Sequence, residues 1–308
     1  MTALSLAALA AGGKAALAAA LARLESAPED ADTLALLDAA YAAPRGHVVG
    51  VTGPPGVGKS TLIGALIAHW RAAARSVGVI AVDPSSRSSG GALLGDRTRL
   101  RTDPDDAGIF VRSMAARDKL GGLAALTVSA MVLMRALYDI VLIETVGVGQ
   151  SETDVAGAAD TVVLCVQPGS GDSLQFMKAG IVEIPHVVAI TKSDLGQVAE
   201  RARSDALAVL GLTDRSADGW PVPVLMLSAL KRDGIDALAQ SIADHARWLA
   251  EDDRLAAARR AQAAHWLVEG VREAFGREGL DRAGALTLPP GQSPFRAAAR
   301  LAMMLRGV

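Results

Sequence analysis

Gly53-Pro54-Pro55-Gly56-Val57-Gly58-Lys59-Ser60-Thr61 stands between the apolar run Val48-Val49-Gly50-Val51 and the periodic segment Leu62-Ile63-Gly64-Ala65-Leu66-Ile67. The spacing is G-x-x-x-x-G-K-S, preceded by a candidate buried strand and followed by a candidate amphipathic helix, which is the context of a phosphate-binding loop. Glycines let the backbone turn tightly enough for successive N–H groups to converge on phosphate oxygens, and the helix N-terminus adds positive potential. Lys59 then supplies a point charge to the β and γ phosphates, and Ser60 a hydroxyl ligand for magnesium. The ligand expected from this stretch is a nucleoside triphosphate.

Working outward, short apolar runs recur at Val77–Val82, Ile109–Arg112, Ile140–Ile143, Thr161–Val166, Val187–Ile190 and Val222–Leu227. Continuous apolar runs of this length suit parallel strands buried on both faces. Helical spacing appears between them, as at Leu123, Leu126, Ala130, Leu133, Met134 and Leu137. The expected fold is α/β, a P-loop core with a mostly parallel central sheet flanked by helices. Before it, Leu17, Leu21 and Leu24 and then Ala31–Tyr41 read as two helices ended by Pro44-Arg45-Gly46. After it the chain stays helical, and Trp266, Leu267, Val271 and Phe275 form a stripe too bulky to leave in water. The domain expectation is residues 1–45 as an N-terminal helical extension, 46–246 as the core, and 247–308 as a helical arm suited to dimerisation.

In such a sheet the ligand lies at the carboxyl ends of the strands. Asp83 follows the second run and Asp96 the polar loop after it, so both are candidate magnesium or magnesium-water ligands. Glu144 ends the run Ile140–Ile143, where a carboxylate can bind magnesium directly or hold the attacking water, and Gly147 lets a backbone N–H approach the γ-phosphate. Thr191-Lys192-Ser193-Asp194 follows another run and separates guanine from adenine. The Asp194 carboxylate can accept both the ring N1–H and the exocyclic 2-amino group of guanine, and adenine donates at neither position. The Lys192 stem can cover the base face, and Ser228-Ala229-Leu230 supplies a second loop on the base side. Thr191 stands where Asn is commoner in this motif.

The 308 residues carry 31 basic and 33 acidic side chains, a net charge of −2, so no strong field recruits nucleic acid or anionic lipid. Met1–Leu24 is Ala-rich but broken at Gly12-Gly13-Lys14, which reads as a helical start rather than a leader or a membrane span. The one cysteine, Cys165, falls in an apolar run, compatible with a reducing cytoplasm and with no disulfide framework. His47, His69, His186, His245 and His265 show no metal-ligand spacing, which disfavours a metallochaperone GTPase of the same plan. A small-molecule kinase is the other alternative, and the guanine motif argues against it.

The segments Val82-Asp83-Pro84-Ser85-Ser86, Leu94-Gly95-Asp96-Arg97-Thr98-Arg99, Glu144-Thr145-Val146-Gly147-Val148-Gly149-Gln150-Ser151-Glu152 and Pro168-Gly169-Ser170-Gly171-Asp172, with the phosphate loop and the guanine motif, occur in one order. In this the chain resembles the MeaB/ArgK family, GTPases that associate with methylmalonyl-CoA mutase and related adenosylcobalamin-dependent acyl-CoA mutases. The resemblance implies a magnesium-dependent GTPase binding GTP and GDP, a homodimer joined through C-terminal helices, and a chaperone role in which hydrolysis gates cofactor delivery and protects the mutase. It implies that Lys59 and Ser60 bind phosphate and magnesium, that Asp83 and Asp96 belong to the magnesium and first-switch region, and that Glu144 belongs to the catalytic segment. It further implies a third loop, Gln167–Gly180, that responds to the mutase and contains Lys178, and the expectation is that Lys178 is brought toward the nucleotide when the mutase docks. Ile184-Pro185-His186 departs from the family pattern, where an acid is usual before the strand.

Overall fold

The computed structural model describes residues 5–84, 100, 102–116, 125–145, 154–169, 184–211 and 219–307. They fall into two compact units, one of residues 1–46, 124–139 and 255–308, the other of residues 47–123 and 140–254.

The second unit is built on seven parallel strands: β1 (His47–Thr52), β2 (Val77–Pro84), β3 (Ile109–Ala116), β4 (Ile140–Glu144), β5 (Thr161–Val166), β6 (Val187–Ile190) and β7 (Val224–Met226). Their order across the sheet is β3-β2-β4-β1-β5-β6-β7, so β1 lies centrally between β4 and β5. The apolar runs extend further than the sequence suggests at β2 and β3 and less far at β7, because pairing depends on a neighbouring strand as well as on side chains. Alternation along each strand supplies two cores. On one face Val49, Val51, Val163, Cys165 and Leu142 pack with Leu62, Ile63, Leu66 and Ile67 of α3 (Lys59–Ala72) and with buried residues Leu238 and Ile242 of the later helix Ile235–Ala250. On the other, Leu164, Val166, Val188 and Ile190 pack with Ala199 and Ala206 of the helix Gln197–Leu210. Strands β5 and β6 are therefore apolar on both sides, as their unbroken runs require.

The first unit is helical: α1 (Leu6–Ser26), α2 (Ala31–Ala42), α4 (Ala125–Leu137), α7 (Arg254–Ala283) and α8 (Pro294–Arg306), with α5 (Gln197–Leu210) and α6 (Ile235–Ala250) belonging to the sheet unit. Helix α4 contacts both α1 and α2, and α8 contacts α2. Leu17, Leu21 and Leu24 of α1 and Met131 and Met134 of α4 are buried. By length and composition α1 could cross a bilayer, but it leaves helical geometry at Gly13 (φ 61°, ψ −147°). Asp30 caps α2 by accepting from the Asp32 and Thr33 N–H groups while Arg23 donates to it at 2.6 Å. Arg296 of α8 pairs with Asp38 of α2, and Arg306 with Glu29. Of the bulky C-terminal stripe, Leu267 and Val271 are buried and Trp266 and Phe275 are half-buried.

Three of the five histidines, distant in sequence, meet at the amino edge of the sheet. His47 Nε2 and His245 Nδ1 each lie 2.7 Å from the Thr161 hydroxyl, and the Val162 N–H donates to His186 Nδ1 at 2.9 Å. The His186 and His245 rings stack at 4.2 Å, with Trp220 and Trp248 beside His245. The point shared by His47 and His245 is the Thr161 hydroxyl, and Nδ1 of His186 is turned to the Val162 N–H. Among the described residues no group of three or more His, Cys, Asp or Glu side chains is placed to hold a metal ion.

Candidate nucleotide site

The opposite edge of the sheet carries the predicted site residues. Strand β1 ends at Thr52, the loop follows, and α3 begins at Lys59. Two glycines explain why the loop takes this path. Gly53 has φ 139°, and a Cβ there would lie 2.4 Å from the Cys165 carbonyl oxygen of β5. Gly58, at φ 103°, precedes the first turn of α3 in a left-handed conformation that side chains resist. The loop is thus pressed against β5 and turned directly into a helix, whose N-terminal end carries positive potential that suits an anion.

Lys59 is buried, and its ammonium donates to the Gly53 carbonyl at 2.7 Å and the Pro54 carbonyl at 3.2 Å. Those carbonyls hold the cation inside the loop that phosphate would enter. Ser60 donates from Oγ to Glu144 Oε1 at 2.6 Å. The pairing register explains this: Glu144 is opposite Val51 of β1 and Ala81 of β2, so the last residue of β4 arrives where the loop turns into α3. Thr145 continues the junction, its N–H donating to the Val51 carbonyl at 3.2 Å and its hydroxyl to Thr52 Oγ1 at 3.0 Å. Nothing local in the sequence links Thr52 to Thr145. The signal that could have found it is that each is the first hydroxyl residue after a buried run.

The base motif is held by β5, β6 and β7. Thr191 donates both its N–H (3.0 Å) and its hydroxyl (3.2 Å) to the Val166 carbonyl. Lys192, at φ 53°, donates from Nζ to the Gly56 carbonyl and to Gln167 Oε1, each at 2.9 Å. The Ser193 N–H donates to the Leu227 carbonyl at 3.0 Å, which joins the motif to the second base-side loop. A hydrogen bond from Ser228, then one from its own backbone N–H, hold the exposed Asp194 carboxyl below the ordinary carboxylate range, with the Lys231 and Lys192 charges adding to this. Ser228 and Asp233 exchange backbone hydrogen bonds at 3.0 Å, closing the loop that presents Ala229 and Leu230. Leu230 is 85% exposed, the most open large apolar side chain among the described residues.

Gly53 through Thr61, Glu144, Thr191, Lys192, Asp194 and Ser228 through Leu230 therefore lie in one unit at one sheet edge. The backbone of Asp83 lies on β2 at the same edge, two residues past the partner of Glu144. Asp96, Gly147 and Lys178 lie outside the described residues. The hydroxyl of Ser60 and the carboxylate of Glu144 are hard oxygen donors in contact, a set that fits magnesium, and they are the described side chains that would hold it. Cys165 lies beneath the loop with its thiol pushed up to about 12 by burial, so it is not a nucleophile.

Residues 17–280 match the family model described as "Methylmalonyl Co-A mutase-associated GTPase MeaB". A Pyrococcus horikoshii protein is 43% identical over 217 residues, covering 70% of this chain and 68% of that protein. The GTPase ArgK of Escherichia coli is 37% identical over 245 residues, 76% of this chain and 73% of its own length. A crystal structure titled LAO/AO transport system kinase superposes with a TM-score of 0.69 at 30% identity, over 98% of this chain and 96% of the other. With a phosphate loop, a strand-terminal glutamate against its serine and a guanine motif on one sheet edge, and with this match over most of its length, the chain belongs to the MeaB/ArgK family of P-loop GTPases.

Proposed function

We propose that the protein is a magnesium-dependent GTPase that acts as a chaperone for an adenosylcobalamin-dependent acyl-CoA mutase, of the methylmalonyl-CoA mutase type. The observation that carries the hydrolytic part is the 2.6 Å contact between Ser60 Oγ and Glu144 Oε1 beside the buried Lys59 ammonium. The client is supported by the family's description as mutase-associated.

Binding exchanges the Gly53 and Pro54 carbonyls around Lys59 Nζ for phosphate oxygens, while the loop N–H groups and the start of α3 cradle the remaining charge. Ser60 and Glu144 would hold magnesium, which when bound would neutralise phosphate charge. Glu144 is 5% exposed, so its carboxylate acts in a water-poor setting where orienting the attacking water has most effect. Water attacks the γ-phosphorus as the bond to the β–γ bridging oxygen breaks, releasing GDP and phosphate. Asp194 selects the base, and Lys178, in the loop 167–180, completes the site when the mutase docks, so hydrolysis is slow alone and faster with the partner. We further propose a cytoplasmic homodimer in which α8 takes part, since Met303 and Met304 are 55% and 54% exposed on that helix.

The test is phosphate release from GTP, with no acceptor other than water, with and without purified acyl-CoA mutases, scored alongside GTP-dependent transfer of adenosylcobalamin. The expected result is slow release accelerated by one mutase, with the acceleration lost in Lys178→Ala. No phosphate release overturns the GTPase reading. Release that no mutase alters overturns the client.

A further inference from the structure

Thr191 stands where Asn is commoner in the base motif. Its hydroxyl proton is committed to the Val166 carbonyl at 3.2 Å, and its N–H goes to the same oxygen. Thr191 thereby ties the motif to β5. The tie to the phosphate loop runs through the next residue, whose ammonium donates to the Gly56 carbonyl at 2.9 Å.

A lysine is poorly suited to that duty by itself. Its four-carbon stem keeps several rotamers of similar energy, and ordering it costs conformational entropy. Here the same ammonium donates at 2.9 Å to Gln167 Oε1, on the residue immediately after β5. One acceptor is on the loop and the other on the residue that directly follows the strand against which that loop is pressed, so Nζ is fixed from two segments. The Lys192 backbone is in the left-handed region (φ 53°, ψ 43°), which places the stem at the cost of local strain. The acceptor is also of a fitting type. A neutral carboxamide oxygen holds an ammonium without cancelling its charge, whereas a carboxylate would remove positive potential beside a loop that must bind phosphate.

We infer that Gln167 is a positioning residue for the guanine nucleotide: it holds Lys192 between β5 and the phosphate loop, a linkage that Thr191 leaves to this pair. The inference rests on the GTPase reading above. It predicts that the effect of Gln167 on nucleotide affinity depends on the presence of the Lys192 ammonium.

The test is a double-mutant cycle on the full chain, read as the dissociation constant of fluorescently labelled GDP with magnesium. Gln167→Met, of equal length but without the acceptor, is expected to weaken binding about tenfold, the scale of one hydrogen bond to a charged group. In a Lys192→Met background the same change is expected to matter by less than about twofold. Equal weakening in both backgrounds, or unchanged affinity in the first, overturns the inference. A general packing role would produce equal weakening, so the cycle separates the two. If Gln167→Met does not fold, Gln167→Asn, whose shorter carboxamide withdraws the acceptor, enters the same cycle. If the parent chain binds no labelled GDP, the GTPase reading itself fails, a result distinct from either variant outcome.

Discussion

Glu144 and Asp194 sit at the same sheet edge in opposite surroundings. Glu144 is 5% exposed and accepts from Ser60 at 2.6 Å, whereas Asp194 is open to solvent and held ionised by Ser228. In the function proposed above the buried acid serves the chemistry and the open one the recognition of the base. Glu144→Gln keeps the shape but loses the carboxylate charge; single-turnover hydrolysis is expected to fall by about 100-fold or more, with labelled-GDP affinity much less affected. Asp194→Asn replaces an acceptor by a donor opposite the guanine 2-amino group. GTP affinity is expected to fall at least about tenfold, and xanthosine triphosphate, with a carbonyl at that position, to bind the variant better than the parent in the same titration. The positions of both acids are legible in the sequence because each follows an apolar run that forms a strand. The Thr52–Thr145 and Gln167–Lys192 contacts are not, since they join positions 93 and 25 residues apart.

Among elements, β1 and β5 connect the two edges of the sheet, nucleotide loop at one end and histidine cluster at the other. Helix α6 closes the cluster with His245, which is fully buried, and burial pushes its pKa down to about 3, with the neighbouring His186 and His47 acting in the same direction against the charge of Asp160. The folded ring is therefore neutral where the unfolded one, at an ordinary value near 6.5, takes a proton. Below pH ~6.5 the unfolded chain binds more protons, so this contribution to stability is complete above that pH and is lost as pH falls toward about 3, at up to ~1.4 kcal/mol per pH unit. Urea midpoints at pH 7.5 and 5.0 are expected to show the loss. His245→Phe keeps an aromatic ring beside His186 and Trp248 without the titration, and its acid limb is expected to be flatter. The histidines look scattered in the sequence because strand starts and a helix face are brought together by pairing and packing alone.

At the scale of the whole molecule, the chain crosses between its two units at residues 46/47, 123/124, 139/140 and 254/255. Neither unit is a continuous segment, so neither can be cut out without damaging the other. Helix α4 shows this most clearly: it is connected on both sides to the sheet unit but packs with α1 and α2, burying Val128, Met131, Val132 and Met134. A fragment of residues 47–254 retains α4 and loses those partners. It is expected to bind an apolar-surface dye and to unfold without a sharp transition, whereas the full chain melts cooperatively by the same fluorescence measurement.

Fold class, the strand-and-helix succession and the motifs that mark the family were determined by the sequence alone, as was the placement of the phosphate loop, Glu144 and Asp194 at strand ends on which the proposed chemistry rests. Each rests on local periodicity or on residue type within a few positions of a strand end, and such signals need no knowledge of neighbours. Tertiary structure decided which distant groups meet: Ser60 with Glu144, Lys192 between Gly56 and Gln167, three histidines at one edge, and α4 with the terminal helices. The physical reason is that hydrogen bonds and packing act over a few ångströms of space, and the order of strands in the sheet, rather than distance along the chain, determines which residues come that close.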